Sequence, residues 1–168
     1  MLTLVQSRRE IKVNRHLAER LKTVVHLLHK SYKLYNQIAK RASNKRTELL
    51  VYSLATESNQ YHSELKSKVQ ILEKKYYDTE PETTRVKWNV VILNEKKFDN
   101  TEEILNDCAV IETAIIKAYR DLLNDPSIML DLRKLLQQQL NGFLYSFVKL
   151  KMLESISQQG FADARVLF

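Results

Sequence analysis

The scarcity of glycine and proline limits what this chain can fold into more than any other feature. Only two glycines and two prolines occur among 168 residues, so the tight turns that join the strands of a sheet have almost no residues to form them. Between these few breaks, apolar residues recur at alternating spacings of three and four, as on one face of an α-helix. The sequence therefore predicts an all-α protein, and its 44% hydrophobic residues are enough for one buried core.

Four long helices are predicted. The first begins near Arg15, with Asn14 as its N-cap, and ends at Ser43–Asn44. The second covers about residues 45–77, and its short connection to the first indicates an antiparallel pair.

The other two helices form a second pair with an equally short connection. Asn100 and Glu103 have the spacing of a capping box, which begins the third helix, and that helix ends near residue 124. Asp125–Pro126 supplies a cap and a proline at the first helical position, so the fourth helix is predicted from there to about residue 158.

The connection between the second and third helices is much longer than the other two. Residues 78–84, DTEPETT, favour turns, and residues 85–96, RVKWNVVILNEK, form a short amphipathic segment that we expect to be helical. A connection of this length can cross the bundle and leave the second and third helices parallel, which is the ferritin-like arrangement. We expect an N-terminal extension at 1–20, a ferritin-like bundle at 21–158 and a C-terminal tail at 159–168.

Cysteine content and hydropathy suggest the compartment. Cys108 is the only cysteine, so no disulfide can form within the chain and a reducing environment is favoured. No apolar run reaches the roughly 18 residues that a bilayer requires, and the first twenty residues are too charged for a signal peptide. We expect a cytoplasmic protein without a transmembrane segment.

Three polar residues occupy positions where the helical pattern calls for apolar ones. They are Glu57 in the second helix, Glu112 in the third and Gln139 in the fourth, and they are expected to meet inside the bundle. A buried carboxylate costs several kcal/mol unless it is paired, protonated or bound to a metal. Each glutamate therefore needs a local partner.

A di-iron or di-manganese site is one way to provide that partner. Such sites in ferritin-like proteins use a Glu from each of two helices and Glu-x-x-His from each of the other two. Here Gln60 follows Glu57 by three residues and Ile115 follows Glu112 by three, while His62 is five residues past Glu57. The first helix has no acidic residue from 21 to 47, and the fourth has no histidine, so the sequence predicts no metal site and no cofactor.

A hydrogen-bonded core cluster is the other way, and it is the interpretation that we favour. Tyrosine hydroxyls from the neighbouring helices can pair with the carboxylates and the amide. A shifted register on one helix is the remaining alternative. The predicted members of this cluster are Glu57, Glu112, Gln139, Tyr32, Tyr35, Tyr61 and Tyr119.

Other reactive residues lack the context that their chemistry needs. His26 and His29 have a metal-ligand spacing on a helix, but no carboxylate or thiol lies near them in sequence, so ordinary surface or half-buried histidines are favoured. Cys108 is expected to be an inert core thiol. Gly142, inside the fourth helix, is expected to permit a close helix approach.

Charge is divided unevenly between the two halves of the chain. Residues 1–76 contain 16 Lys/Arg and 6 Asp/Glu, a net charge of +10, whereas residues 77–168 contain 11 and 14, a net charge of −3. The basic half provides a candidate anion-binding surface for nucleic acid or an anionic membrane. Its residues are Arg8, Arg9, Lys12, Arg15, Arg20, Lys22, Lys40, Arg41, Lys45 and Arg46.

The chain resembles a bacterial family of ferritin-like four-helix bundles that is catalogued as a domain of unknown function, over about residues 21–153. The resemblance rests on the order and spacing of several short motifs rather than on any one of them. These are Leu34, Tyr35 and Ala39; ATES with Glu57, then Tyr61, Glu64 and Leu65; EPET at 80–83; IETAIIKAY at 111–119; and LLQQQ at 135–139.

Departures from that family bear on metal binding. Its members commonly carry an acidic residue near Lys30–Ser31, a glutamate near Gln137 and a histidine around Phe147. The resemblance thus implies a ferritin-like bundle that has lost the family's metal ligands, and it suggests a stress-related role.

These observations predict a non-enzymatic ferritin-like bundle that forms a homodimer. The dimer is predicted from apolar residues in excess of one core, among them Leu2, Trp88, Val90 and Phe168. A di-iron or di-manganese protein and a protein that binds nucleic acid or anionic surfaces are the alternatives.

Overall fold

Four α-helices make up the described part of the protein. The computed structural model describes residues 4–76 and 101–166, with the side chains of residue 8, residues 15–74, residues 101–153 and residues 155–156. The helices are α1 (Leu4–Arg41), α2 (Lys45–Tyr76), α3 (Thr101–Leu123) and α4 (Leu130–Val166). No strand occurs in these ranges, which confirms the all-α prediction there. The predicted short helix at 85–96 and the cap at Asn100 lie outside the described residues.

The turn between α1 and α2 is where the sequence predicted it. The Oδ1 atom of Asn44 accepts the backbone N–H groups of Arg46 at 2.8 Å and Thr47 at 3.4 Å. These bonds satisfy two of the amides that the first turn of a helix leaves without an intrahelical acceptor. Asn44 is therefore the N-cap of α2.

The start of α1 differs from its prediction. A start near Arg15 with Asn14 as the cap is wrong, because one continuous helix begins at Leu4. No glycine or proline occurs between residues 4 and 41, so nothing in this segment interrupts the helical hydrogen bonds.

The start of α4 is also different. Asp125–Pro126 does not open that helix, which begins at Leu130. Asp125 instead stabilises a turn, since its Oδ1 atom accepts the Ser127 N–H at 2.9 Å and the Ser127 hydroxyl at 2.6 Å. These bonds are the main reason that the pKa of Asp125 is lowered. At the other end α4 continues to Val166, beyond the predicted end near 158.

Side-chain contacts between helices fix their relative directions. The short turn from α1 to α2 reverses the chain, and Lys22 in the middle of α1 pairs with Glu73 near the end of α2. Arg20 pairs with Asp125 after the end of α3. At the other end of α1, Arg41 lies near enough to Asp107 to oppose the rise in its pKa that burial causes. Both α2 and α3 are therefore antiparallel to α1, and parallel to each other.

Packing between neighbouring helices encloses one apolar core. The helix pairs α1–α2, α1–α3, α3–α4 and α2–α4 are in contact, so α2 and α3 occupy opposite corners of the bundle. The most deeply buried large side chains include Leu28, Tyr35, Ile111, Tyr119 and Phe143. None of the described helices contains a stretch that is long and apolar enough to cross a membrane.

Candidate functional site

A row of polar residues runs along the contact between α2 and α4, and we call it the polar ladder. Its three rungs pair Glu57 with Ser146, Tyr61 with Gly142, and Glu64 with Gln139. Each step forward along α2 matches an equal step backward along α4, as antiparallel helices require. The rungs thus follow from a seven-residue spacing, 57 to 64 on α2 and 139 to 146 on α4.

Glu57 accepts hydrogen bonds from two neighbouring side chains. Its Oε1 atom accepts the Tyr61 hydroxyl at 2.8 Å, and its Oε2 atom accepts the Ser146 hydroxyl at 2.6 Å. Bonds to an ionised acceptor are shorter and stronger than neutral ones. Burial, followed by the bond to Glu57, raises the pKa of Tyr61, so this hydroxyl remains a donor at neutral pH.

Gln139 joins three helices at the other end of the ladder. Its Nε2 atom donates to Glu64 on α2 at 2.8 Å, and its Oε1 atom accepts the Tyr119 hydroxyl of α3 at 2.8 Å. Gln60 donates to the second Glu64 oxygen at 3.1 Å. Gln139 is only 1% exposed, so its amide depends on these protein partners rather than on water.

Gly142 allows the Tyr61 hydroxyl to lie directly against α4. A Cβ atom at this position would collide with the Tyr61 hydroxyl oxygen and would lie 2.9 Å from Oε1 of Glu57. Only glycine leaves room for that oxygen while α4 keeps its helical path. This finding agrees with the close helix approach expected from the sequence.

Replacing Gly142 with alanine is expected to lower the free energy of unfolding by about 1 kcal/mol. The added methyl group displaces the Tyr61 hydroxyl from Glu57, and the loss of a hydrogen bond to a charged group costs about 1.5–3 kcal/mol. Alanine has a higher helix propensity than glycine, which offsets about 1 kcal/mol of this loss. Urea denaturation measures the difference.

The control for this substitution is a double-mutant cycle with Tyr61→Phe. Once the hydroxyl is absent, the collision with it is gone and the gain in helix propensity remains, so in the Y61F background G142A should raise the free energy of unfolding by up to about 1 kcal/mol. Equal effects of G142A in both backgrounds would show that the Tyr61 hydroxyl does not lie against Gly142.

An aromatic cluster covers the inner side of the ladder. The ring of Phe143 lies edge-on to Tyr61 at 4.9 Å between centroids and edge-on to Tyr119 at 5.9 Å, and it stacks on Phe147 at 5.7 Å. These apolar rings exclude water from one side of the hydrogen bonds. Burial is also the largest cause of the raised pKa of Tyr119.

Glu112 does not join the ladder. Its Oε1 atom accepts a hydrogen bond from Nζ of Lys151 at 3.1 Å, and the Glu112 side chain is 12% exposed. The ion pair connects α3 to α4 near the surface. Its contribution to stability is modest, because the Lys151 side chain is 67% exposed and solvent screens the attraction.

Tyr35, another residue of the predicted cluster, does not join the ladder either. Its side chain is fully buried, and its hydroxyl has no partner in the described part of the chain. Burial is the largest cause of the raised pKa of Tyr35, and electrostatic repulsion from Cys108, Glu112 and Glu57 raises it further. The phenol is therefore neutral at physiological pH.

The predicted cluster is therefore divided among separate contacts. Tyr61 bonds Glu57, Tyr119 bonds Gln139, and Glu112 bonds Lys151. Tyr32 is half-buried with its ring 6.4 Å from that of His29. The sequence pattern did not identify the partners Glu64, Gln60, Ser146 and Lys151. The seven-residue spacing of Glu64 from Glu57 was the signal for the first of these.

Side chains of the metal-binding types do not cluster in the described helices. Within residues 4–76 and 101–166, no group of three or more His, Cys, Asp or Glu side chains is placed to hold a metal ion. Cys108 is 1% exposed, and burial raises the pKa of its thiol. Such a thiol is protonated and unreactive at neutral pH.

Two histidines meet across the α1–α2 contact. The rings of His29 and His62 are 5.2 Å apart between centroids, with 40° between their planes. Burial lowers the pKa of both histidines. The charges of Lys33, His26 and Lys66 lower that of His29 further, and those of His29 and Lys66 lower that of His62. No sequence pattern pairs these residues, because their contact depends on the register of α1 against α2.

The basic residues of the candidate anion-binding surface are spread over both ends of α1. Arg8 and Arg15 are exposed near its start, and Lys40, Lys45 and Arg46 are exposed at the α1–α2 turn. Arg15 and Lys40 are separated by about 37 Å along the helix axis at 1.5 Å per residue. The basic residues therefore form two groups rather than one continuous patch.

Several of these residues already have acidic neighbours. Arg20 pairs with Asp125, Lys22 with Glu73, and Arg15 lies 3.8 Å from Glu19. Lys45 pairs with Glu48 at 3.1 Å, and Arg41 is half-buried beside Asp107. The side chains of Arg9 and Lys12 lie outside the described residues.

Comparison with known proteins gave no relative. No family model, curated protein or solved structure significantly matches the chain. The function is therefore inferred from the geometry of this molecule.

Proposed function

We propose that this chain is a ferritin-like, non-enzymatic helical bundle whose interior carboxylates hold the helices together, and that it acts as a homodimeric interaction module. The observation that carries the proposal is the polar ladder. The four carboxylate oxygens of Glu57 and Glu64 each accept a hydrogen bond from a side chain of this protein. Carboxylates that are satisfied in this way stabilise the contact between α2 and α4.

The helix directions support the ferritin-like part of this proposal. Helices α2 and α3 are parallel and lie at opposite corners, while α1 and α4 complete the square. A bundle with that arrangement requires a long connection from the end of α2 to the start of α3, as in ferritin-like folds. The 24 residues from 77 to 100 are long enough to make it.

A di-iron or di-manganese protein is the first alternative. Metal ions bound to Glu57 and Glu112 would have to displace the Tyr61 and Ser146 hydroxyls from Glu57. They would also have to displace the Lys151 ammonium from Glu112. The positions that supply Glu-x-x-His in such sites hold Glu57 with Gln60 and Glu112 with Ile115. The donor set therefore fits a hydrogen-bonded centre better than a metal centre.

Nucleic acid or an anionic membrane is the second alternative. The separation of the basic residues into two groups, and the acidic partners of several of them, favour a structural role for these charges. Binding to heparin that weakens steeply with salt would support the alternative instead.

An apolar stripe on α4 supports the homodimer. Tyr145, Val148, Met152 and Ile156 are each more than half exposed. At 100° per residue they fall within about 80° of one another, on the side of α4 opposite Phe143. A stripe of this kind is self-complementary when the same face of a second copy meets it across a two-fold axis.

Light scattering after size exclusion tests the homodimer. The chain of 19.8 kDa should elute with about twice that mass. Val148→Lys places a charge in the stripe and should give a monomer with unchanged helix content.

The matched control is Ile71→Lys, because Ile71 is exposed to a similar extent, 59% against 52% for Val148, but lies on α2. This variant should remain dimeric. A monomeric parent chain, or dissociation by both substitutions alike, would remove the α4 interface from the proposal.

A further inference from the structure

We propose that His29 and His62 form a binding site for one transition-metal dication of the Zn²⁺, Ni²⁺ and Cu²⁺ class, at the surface of the α1–α2 contact. The site is separate from the polar ladder, which lies between α2 and α4. It brings together two imidazoles that are 33 positions apart in sequence and on different helices.

The separation of the two rings fits a shared ion. Imidazole nitrogens bind zinc at about 2.0–2.1 Å, and two rings on one tetrahedral ion have centroids about 5 Å apart. The observed separation is 5.2 Å. The two rings are thus close enough to share one ion when a nitrogen of each is turned toward it.

Imidazole is available to a metal at the pH of the test. An ordinary histidine, with a pKa of about 6.5, is mostly neutral at pH 7.5 and has a nitrogen lone pair free to bind an ion. His29 and His62 are both half-buried, which leaves an open side where water completes the coordination.

The charges around the site determine which ions it accepts. Lys33 and Lys66 are the cations that act on the two histidines, and both are exposed. Their positive charges weaken the binding of every dication, so only ions with a strong preference for imidazole remain bound. Copper, nickel and zinc meet that requirement, whereas magnesium, calcium and manganese do not.

Calorimetric titration of the metal-free full chain with Zn²⁺ at pH 7.5 tests the proposal. We expect one ion per chain. His29→Ala and His62→Ala should each weaken binding by about tenfold or more, since even outer-shell changes cost that much. His16→Ala removes an exposed histidine from the same helix and should leave binding unchanged. Lys66→Gln should tighten binding, because it removes a repelling charge.

Two further measurements distinguish binding at this site from binding elsewhere on the chain. Saturating Zn²⁺ should raise the melting temperature by about 5 °C in the parent chain and not in the double variant H29A/H62A, because the ion connects α1 to α2. Circular dichroism verifies that this variant is folded. Glu57→Gln should not affect zinc binding, so the outcome is independent of the polar ladder.

Absence of saturable zinc binding would overturn the proposal, and so would binding that persists in H29A/H62A. One ion shared between two copies would overturn it as well, since His29 and His62 of a single chain would then not hold the ion together.

Discussion

Phe143→Ala is expected to lower the free energy of unfolding by about 4 kcal/mol, a loss typical of a large ring removed from a packed core. Phe143 is fully buried and contacts aromatic rings from α2, α3 and its own helix. Removal of the ring loses the apolar burial, leaves a cavity among three helices, and admits water beside the hydrogen bonds of the ladder. Urea denaturation followed by circular dichroism measures the loss.

Leu49→Ala serves as the control for this prediction. Leu49 is also a large apolar residue, but it is 58% exposed, so its truncation should change stability by no more than about 0.5 kcal/mol. Similar effects for the two variants would mean that Phe143 is not the centre of the core.

Gln139→Leu is expected to lower the free energy of unfolding by about 2 kcal/mol, although leucine is the better residue for an apolar core. The substitution removes the donor to Glu64, worth about 1.5–3 kcal/mol, and it leaves the buried Tyr119 hydroxyl without its acceptor. Leucine burial offsets part of this loss. The melting temperature should fall by about 6 °C for a chain of this length.

The neighbouring residue provides a matched control. Gln138 has the same side chain as Gln139 but is exposed, so Gln138→Leu should be nearly neutral. Stability that is equal in Q139L and Q138L would mean that the amide of Gln139 does not connect α2, α3 and α4.

Helix periodicity predicted the four helices, but the residues around each helix end predicted some of the ends correctly and others wrongly. The polar break at Ser43–Asn44 was predicted to end α1, and in the structure the side chain of Asn44 also caps α2. Asp125–Pro126 has the composition of a helix start, yet the Asp125 carboxylate is used by Ser127 in a turn. Arg133 reinforces that turn through the backbone carbonyls of Leu123 and Asp125. The amino-acid composition around a helix end does not show which of these side-chain hydrogen bonds form.

The sequence predicted those features of the candidate site that depend on a single helix. The apolar pattern on α4 identified Gln139 as a buried polar residue, and it is 1% exposed. Its partner Glu64 and the ion pair of Glu112 with Lys151 depend on how α4 is aligned with α2 and α3. The His29–His62 contact depends in the same way on α1 and α2. Periodicity within one helix contains no information about that alignment.

Elemental analysis of the full chain, purified aerobically, tests most directly whether the interior carboxylates are structural. We expect no stoichiometric iron or manganese, because the protein's own hydroxyl, amide and ammonium groups bind Glu57, Glu64 and Glu112. A zinc, nickel or copper ion that depends on His29 and His62 would be compatible with structural carboxylates. Two iron or manganese ions per chain that disappear in Glu57→Ala and in Glu112→Ala would contradict a structural role.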